Sequence, residues 1–592
     1  MHSIFRRTPI LFPPSLLLAA ALLLAACGEA PEPTATPAAS SHDEPAATGD
    51  APAQPDASAK LDALIQQFVD DQRSESRGGQ LRDVSAASFL REIAEARDLL
   101  EQLRAIDAEQ LSHEESIDRR LMIGLLEADI YSAEHKRLWE NDASLYVPAR
   151  QIGRLLEPQA DEPLEQRIDS LRALLEKIPA RVATAQANLK EPPQRFTEGA
   201  IFKTRGTIDS LANEGAALLN QTPEAQEGIG EALAAASEAL HGYLEFLEND
   251  LLARSTGSWA IGKEHYDYIL QHRWHLDTDA DEILARGRQA FEETEALAQE
   301  VSERIEPGKH WSEVYEQLKD EHPPAHGIKE AYQAQIDAAQ DFVIANRIVT
   351  LPAGERVITV DTPPAMRRSS PFGTFQSVDL FGEGLEGKLV LTPIEDWMTP
   401  EQKAERLRSH HDAWIPIIAV HEAYPGHHVD ALKTRENPRI LRKVVREPIF
   451  SEGWGLFTEE LMFEQGFLQG DDVRLTQLRN RLWRAARVIL DVSLHTGRMS
   501  FEDAVDFLAE KVRFERYAAE LEVGMYTERA TYVLGYLIGM QEIMAIRDEY
   551  IERYGEPSPP SEFYDRLLTL GALPPVLIRE SLFGNGPGEI QQ

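Results

Sequence analysis

The 592-residue chain has a single cysteine, Cys27. One thiol cannot close an internal disulfide, so the fold is held by packing alone even in an oxidising compartment. Basic charge is also scarce. Lys and Arg number 60 against 99 Asp and Glu, a formal net charge of −39. That excess repels nucleic acid and anionic headgroups, which excludes both as expected partners. The acidic residues are spread among apolar positions rather than run together, the pattern of a solvated helical surface. Long apolar stretches are missing except for Ser15 to Ala26, which is too short to span a bilayer. No fixed-period repeat occurs, and no low-complexity break follows Lys60.

What is present begins with a leader. Arg6 and Arg7 precede the apolar run, as in an export signal over residues 1–26. The run closes in Leu24-Ala25-Ala26-Cys27, which resembles a bacterial lipobox, so Cys27 is the expected lipidated first residue of the mature protein. No Asp follows it, which points to the outer membrane of a Gram-negative cell, facing the periplasm. Residues 27–58 are rich in Ala, Pro, Thr, Ser and Asp and read as a disordered tether. Attachment to the membrane then rests on the lipid.

From residue 59 the chain reads as globular and mainly α. In a helical region over 59–345, Ser85 to Leu111, Leu164 to Asn188 and Pro223 to Leu252 place apolar residues at i, i+3 and i+4. Thr278-Asp-Ala-Asp281 reads as a helix start before an amphipathic run to Ile305. The period changes after Ile348. Arg356 to Val360 alternates like a strand, and Thr374 to Phe381 and Lys388 to Thr392 read as extended. This small β region lies just ahead of an unusual motif, and helices resume at Pro400.

The apolar run Ile415 to Val420 predicts a buried helix, and it leads into His421-Glu422-Ala-Tyr-Pro-Gly-His427-His428. Burying an ionised carboxylate is costly unless it is paired or near a metal. The pair His421-Glu422 matches the start of H-E-x-x-H, in which two imidazoles one turn apart hold zinc and the Glu activates water. Here the second imidazole comes late. On an ideal helix His427 lies about 240° round the axis, and His428 returns to the same face about 10 Å further on. Neither can share zinc with His421 unless the helix breaks, because zinc–nitrogen bonds are only about 2.0–2.1 Å. Pro425 removes a helix hydrogen bond and Gly426 permits an unusual backbone angle, so a Pro-Gly bulge can return either His427 or His428 to the site. A third ligand is available in Ser451-Glu452-Gly-Trp454. Ser451 reads as the N-cap of a second helix, and Glu452 on that helix can face the His421 turn. The metal-free alternative is a buried His/Glu hydrogen-bond cluster.

These residues resemble the bacterial domain of unknown function 885 family, whose members are distantly related to the gluzincin zinc metallopeptidases. His421-Glu-Ala-Tyr-Pro-Gly-His-His428 and Ser451-Glu-Gly-Trp-Gly-Leu456 are similar to its two central motifs. Gly262-Lys-Glu-His-Tyr266, Asp491-Val-Ser-Leu-His495 and Tyr536-Leu-Ile-Gly539 match weaker patterns, and the resemblance runs over residues 60 to 585. One departure stands before Tyr536, where Ala530-Thr-Tyr532 replaces a Pro-Gly-Gln-like stretch. The resemblance implies a mainly helical, zincin-like fold with a small β-sheet preceding the active-site helix, residues 346–592 forming the catalytic region in one fold with 59–345. It favours His427 over His428, since related proteins place Gly directly before the second ligand.

The expectation is then a membrane-anchored zinc hydrolase, a peptidase acting on short or unfolded peptides. His421, His427 and Glu452 hold zinc, and Glu422 is the general base. His495 and Tyr536 are the candidate oxyanion donors, with Asp491 four residues before His495 to orient its ring. Tyr424 reads as packing within the motif. His410 and His411 read as lying at the solvent end of the buried run. Lys388 to Thr392, or Thr374 to Phe381, is the expected edge strand for a peptide substrate. Arg367 and Arg368 are candidates for holding a substrate carboxylate. Two other functions fit the same residues: a non-catalytic binding lipoprotein on a degenerate zincin fold, and a metal hydrolase of a non-peptide amide or ester.

Overall fold

The computed structural model describes residues 56–77, 81–156, 163–221, 226–362, 367 and 373–584. The export signal, Cys27, nearly all of the tether and Arg368 lie outside these residues. The first described helix, Ala57–Arg77, begins where the tether is expected to end.

The helical periodicity is realised with the expected caps. Ser85 caps Ala86–Arg104, and Asp279 caps Ala280–Ile305 by accepting hydrogen bonds from the Asp281 and Glu282 amides. Two long helical readings are divided. Leu164 to Asn188 is split into Leu164–Leu175 and Ile178–Asn188, with Pro179 in the first turn of the second helix. In the other, the helix Gln226–Phe246 passes into a π-turn at Leu247–Leu251.

Three strands form one sheet, ordered β1-β3-β2: β1 is Arg356–Asp361, β2 Gly373–Gln376 and β3 Glu386–Leu391. β1 runs parallel to β3, with Val357 opposite Gly387 and Val360 opposite Val390. β2 runs antiparallel to β3, with Phe375 opposite Leu389. This order corrects one expectation. The Lys388 to Thr392 stretch is in the central strand, so its backbone is already paired on both sides. Of the two candidates for an edge, only the Thr374 stretch lies at one, and it is shorter than expected.

The main apolar core does not respect the division at residue 345. Leu61, Leu103 and Leu121 from the N-terminal helices share it with Ile417, Trp454, Phe563 and Leu577. A second core joins Tyr266 and Ile283 to Leu482 and Leu537, and a third lies within residues 84–251. Buried ion pairs cross the same boundary. Arg442 Nε lies 2.8 Å from Asp118 Oδ1, and Arg273 grips Glu447 through Nε and Nη2 at 2.9 and 3.0 Å. Among the described residues no helix is long and apolar enough to cross a membrane.

Candidate metal centre

The buried helix Ile415–Ile418 does not continue regularly through the motif. It opens into a π-turn at Ala419–Ala423, and Tyr424 is extended at φ −124°, ψ 113°. The Tyr424–Pro425 peptide is cis. The Tyr424 amide bonds the Ala419 carbonyl at 3.2 Å and the Gly426 amide bonds the Val420 carbonyl at 3.1 Å, so the turn is widened. A new helix, His427–Glu436, starts from Gly426. A side chain at 426 would overlap the His421 carbonyl oxygen, so the close approach of the two segments requires glycine there.

The break brings the rings together. The centroids of His421 and His427 are 4.9 Å apart and nearly perpendicular, at 88°. Glu452 arrives from the helix Pro448–Glu464, and one ligand atom from each of His421, His427 and Glu452 lies within 4.8 Å of the others. Ser451 is not its N-cap. The helix starts a turn earlier, with Pro448 in its first turn and Glu447 at the cap position, so Ser451 and Glu452 are already helical. Trp454 on this helix donates from Nε1 to the Pro425 carbonyl at 2.9 Å, which fixes the break to the helix that carries Glu452.

Second partners orient the three groups. His421 Nδ1 lies 2.9 Å from Glu459 Oε1, with both side chains buried, which leaves Nε2 as the free nitrogen of that ring. Space for the ring is made by Gly455, where a Cβ would lie 2.9 Å from His421 Nε2. His427 Nε2 is 3.5 Å from Glu452 Oε2. Burial works against charge on His427, but the hydrogen bond and charge of Glu452, with Glu422 nearby, lift it to about 9. Burial also resists the Glu452 carboxylate, which His427, His421 and the Tyr532 hydroxyl together bring down to about 2. Each of the two thus favours the charged form of the other. Tyr532 donates to Glu452 Oε1 at 2.9 Å. Its place in the Ala530-Thr-Tyr532 stretch carries no signal of this contact, because the two residues are remote in sequence.

His428 is turned away into a separate buried cluster. Its Nε2 lies 2.8 Å from Glu355 Oε2, which also accepts from the Tyr424 hydroxyl at 2.7 Å, and Gln340 donates to Glu355 Oε1 at 2.6 Å. Glu355 sits just ahead of β1, so the sheet holds the motif from behind. Like Tyr532, Glu355 gives no sign of its role in the sequence.

The remaining candidates divide. Glu422 is half-buried beside His421, and its charge is felt by His427 and by Tyr332. Tyr536 is buried, with its ring 6.4 Å from that of Tyr532. His495 belongs to other surroundings. Its Nε2 donates to the Tyr526 carbonyl oxygen at 2.8 Å, and Trp259 meets the ring edge-on. Asp491 does not orient it by a hydrogen bond, being 3.8 Å away. Asp491 Oδ2 instead accepts from the Tyr266 hydroxyl at 2.6 Å and the Thr531 amide at 2.9 Å, anchoring the turn that delivers Tyr532. Burial raises the Asp491 carboxyl to about 7. His410 and His411 are buried, at 4% and 1% exposure, and not at a solvent end. Burial pushes both rings down to about 3. Arg367 is committed to Glu395 at 2.6 Å and to the Thr362 carbonyl.

Metal chemistry has a fitting donor set here. Two imidazoles and a carboxylate leaving one position open is the complement of catalytic zinc sites, and a carboxylate on the far nitrogen of a ligating ring is their usual support. The chain belongs to the family described as bacterial protein of unknown function (DUF885), which matches residues 70–582. Two solved structures share the fold. A candidate lipoprotein of unknown function from Shewanella oneidensis superposes with a TM-score of 0.77 at 21% identity, over 89% of this chain and 100% of its own. A candidate lipoprotein from Colwellia psychrerythraea gives 0.72 at 18% identity, over 89% and 98%. Comparison with curated proteins finds no match.

Proposed function

We propose that the protein is a zinc-dependent hydrolase, a peptidase of gluzincin type, held at the envelope membrane by a lipid on Cys27. The observation that carries the proposal is the convergence of His421, His427 and Glu452 across a broken helix, with His421 Nδ1 committed to Glu459. His421, His427 and Glu452 would hold the metal. When bound, zinc supplies a Lewis acid for a carbonyl and lowers the pKa of water.

The chain's own residues supply the rest. Glu422, next to the first ligand and half-buried, takes a proton from the attacking water and returns it to the leaving amine. Tyr532 and Glu459 fix the orientation of Glu452 and His421. Tyr536, whose ring lies 6.4 Å from that of Tyr532, is the oxyanion donor of this reading; His495, bonded to the Tyr526 carbonyl in a separate cluster, takes no part in it. The lipid anchor is supported by Leu24-Ala25-Ala26-Cys27 and by the description of both structural relatives as candidate lipoproteins. The location that follows is the outer membrane, facing the periplasm.

The test is metal content with turnover. Purified protein is expected to hold one zinc per chain by mass spectrometry and to cleave members of a short-peptide library. Glu422→Gln is expected to keep the zinc and lose at least about a hundredfold in rate. A zinc-free protein, or a Glu422→Gln protein with wild-type turnover, would overturn the proposal.

A further inference from the structure

The chain is strongly acidic, yet the helix Asp471–His495 turns a row of arginines inward. Most have carboxylates. Arg474 bonds Glu460 at 2.8 and 3.1 Å, and Arg487 bonds Glu522 at 2.8 and 2.6 Å. Arg479 and Arg484 do not. They are 8% and 5% exposed, and the Nε of each is buried without a hydrogen-bond partner. Among the described residues neither has a carboxylate oxygen within 4.0 Å. Arg484 reaches only the Asn480 carbonyl, at 3.5 Å.

Aromatic faces are what these guanidinium groups meet. Arg479 lies over Phe514, Tyr315 and Trp483, and Arg484 lies 4.2 Å from the Trp483 centroid and 5.7 Å from that of Tyr536. Trp483 is thus shared by both. Asn480, next to Arg479 in the chain and one turn before Arg484, is fully buried, with neither its side-chain oxygen nor its nitrogen bonded. Stacking returns only part of what it costs to bury a cation, and ordered water can satisfy hydrogen bonds without supplying the missing charge. A buried guanidinium fork matches a carboxylate, which it binds through two parallel hydrogen bonds.

Arg484 is linked to the candidate metal centre through aromatic contacts, and Arg479 to Arg484 through their shared Trp483. Arg484 faces Tyr536, Tyr536 meets Tyr532, and Tyr532 bonds Glu452. The strongest acidic pull on Arg484 comes from Glu459, whose Oε1 is committed to His421 and whose Oε2 is buried without a hydrogen-bond partner, beyond 4.0 Å of the guanidinium. We propose that Arg479, Asn480 and Arg484 form a subsite for a carboxylate of the substrate. This rests on the hydrolase reading and narrows its substrates to peptides that bear a free C-terminal carboxylate or an acidic side chain close to the cleaved bond.

The experiment measures binding without turnover. The full chain carrying Glu422→Gln is titrated calorimetrically, with and without zinc, using three probes: N-acetyl-tetra-alanine, its C-terminal amide, and the amide of N-acetyl-Ala-Glu-Ala-Ala. At least one carboxylate-bearing probe is expected to bind about tenfold or more tighter than the plain amide. Preference for the first probe identifies a C-terminal carboxylate, and preference for the third identifies a side chain. Arg484→Gln and Arg479→Gln, each added to that background, are expected to abolish the preference while leaving binding of the plain amide and the melting temperature unchanged or the latter raised. Equal binding of all three probes, no binding of either carboxylate probe at millimolar concentration, or a preference that survives both substitutions overturns the subsite. So does a large fall in melting temperature in both variants, which would make the guanidinium groups structural. Zinc content of the same samples separates the two proposals: zinc without carboxylate preference removes only the subsite, and carboxylate preference without zinc removes only the hydrolase.

Discussion

Glu459 decides which nitrogen of His421 is available, and it does so from inside the same helix that carries Glu452. With Nδ1 held at 2.9 Å, Nε2 is the nitrogen left for a ligand. Glu459→Gln keeps the side chain's shape and removes its charge. Zinc affinity is expected to fall about 10–100-fold, as for other outer partners of ligating histidines, with the far-ultraviolet circular dichroism unchanged. Competition with a fluorescent chelator reads this directly, and an unaltered affinity would show that Glu459 serves packing alone. The adjacent pair His427 and His428 gives a sharper contrast. His427→Ala is expected to lose zinc. His428→Ala is expected to keep it while losing about 2–4 kcal/mol of stability, because Glu355 loses a buried hydrogen-bond partner, Tyr424 loses an edge-on ring contact and a cavity opens. Zinc analysis beside urea denaturation separates the two; the reverse pattern would make His428 the ligand.

At the scale of elements, what decides the site is the break between Ile415–Ile418 and His427–Glu436. Pro425 and Gly426 announce it in the sequence, since one removes a helix hydrogen bond and the other permits the approach of His427 to His421. The sequence pattern also carries the mainly helical class and the three extended segments. It does not carry partners that meet only in three dimensions: Glu355 on His428, Glu459 on His421, Tyr532 on Glu452. Ser451 misleads for a local reason, because a good capping residue can also sit inside a helix that starts earlier at a proline. His410 and His411 mislead because two polar residues before an apolar run look like its wet end, whereas other helices cover them. Gly426→Ala tests the break. A Cβ there would overlap the His421 carbonyl oxygen, so the two segments must separate. The expected result is loss of stoichiometric zinc with helical content largely kept and stability lower by about 1–3 kcal/mol. A Gly426→Ala protein that binds zinc normally would mean that the break has room to spare.

The whole molecule raises the question of whether residues 59–345 and 346–592 are separable. Asp118 lies on the N-terminal helix His113–Lys136 and is 1% exposed. It accepts from Arg442 at 2.8 Å and also pairs with Arg439, both from the C-terminal region. Arg442 in turn bonds Glu114 at 2.7 Å, and Glu114 takes the Ser581 hydroxyl at 2.7 Å. Around this network the main core draws side chains from both regions, so neither can bury its share of that core alone. Removing Asp118 leaves two arginine heads short of a partner, one of them fully buried. Breaking a buried pair in this way costs about 3–5 kcal/mol, much more than an exposed pair would. If the regions form one cooperative unit, Asp118→Ala lowers a single unfolding transition, and circular dichroism, tryptophan fluorescence and zinc release move together. If they are independent domains, the same substitution splits the transition, and zinc release, which reports on residues 421–452, separates from the loss of N-terminal helix. Coincident curves at a lower midpoint are the expected result, because the helix that supplies Glu452 is itself held at its first turn by Arg273 and Trp274 on Glu447.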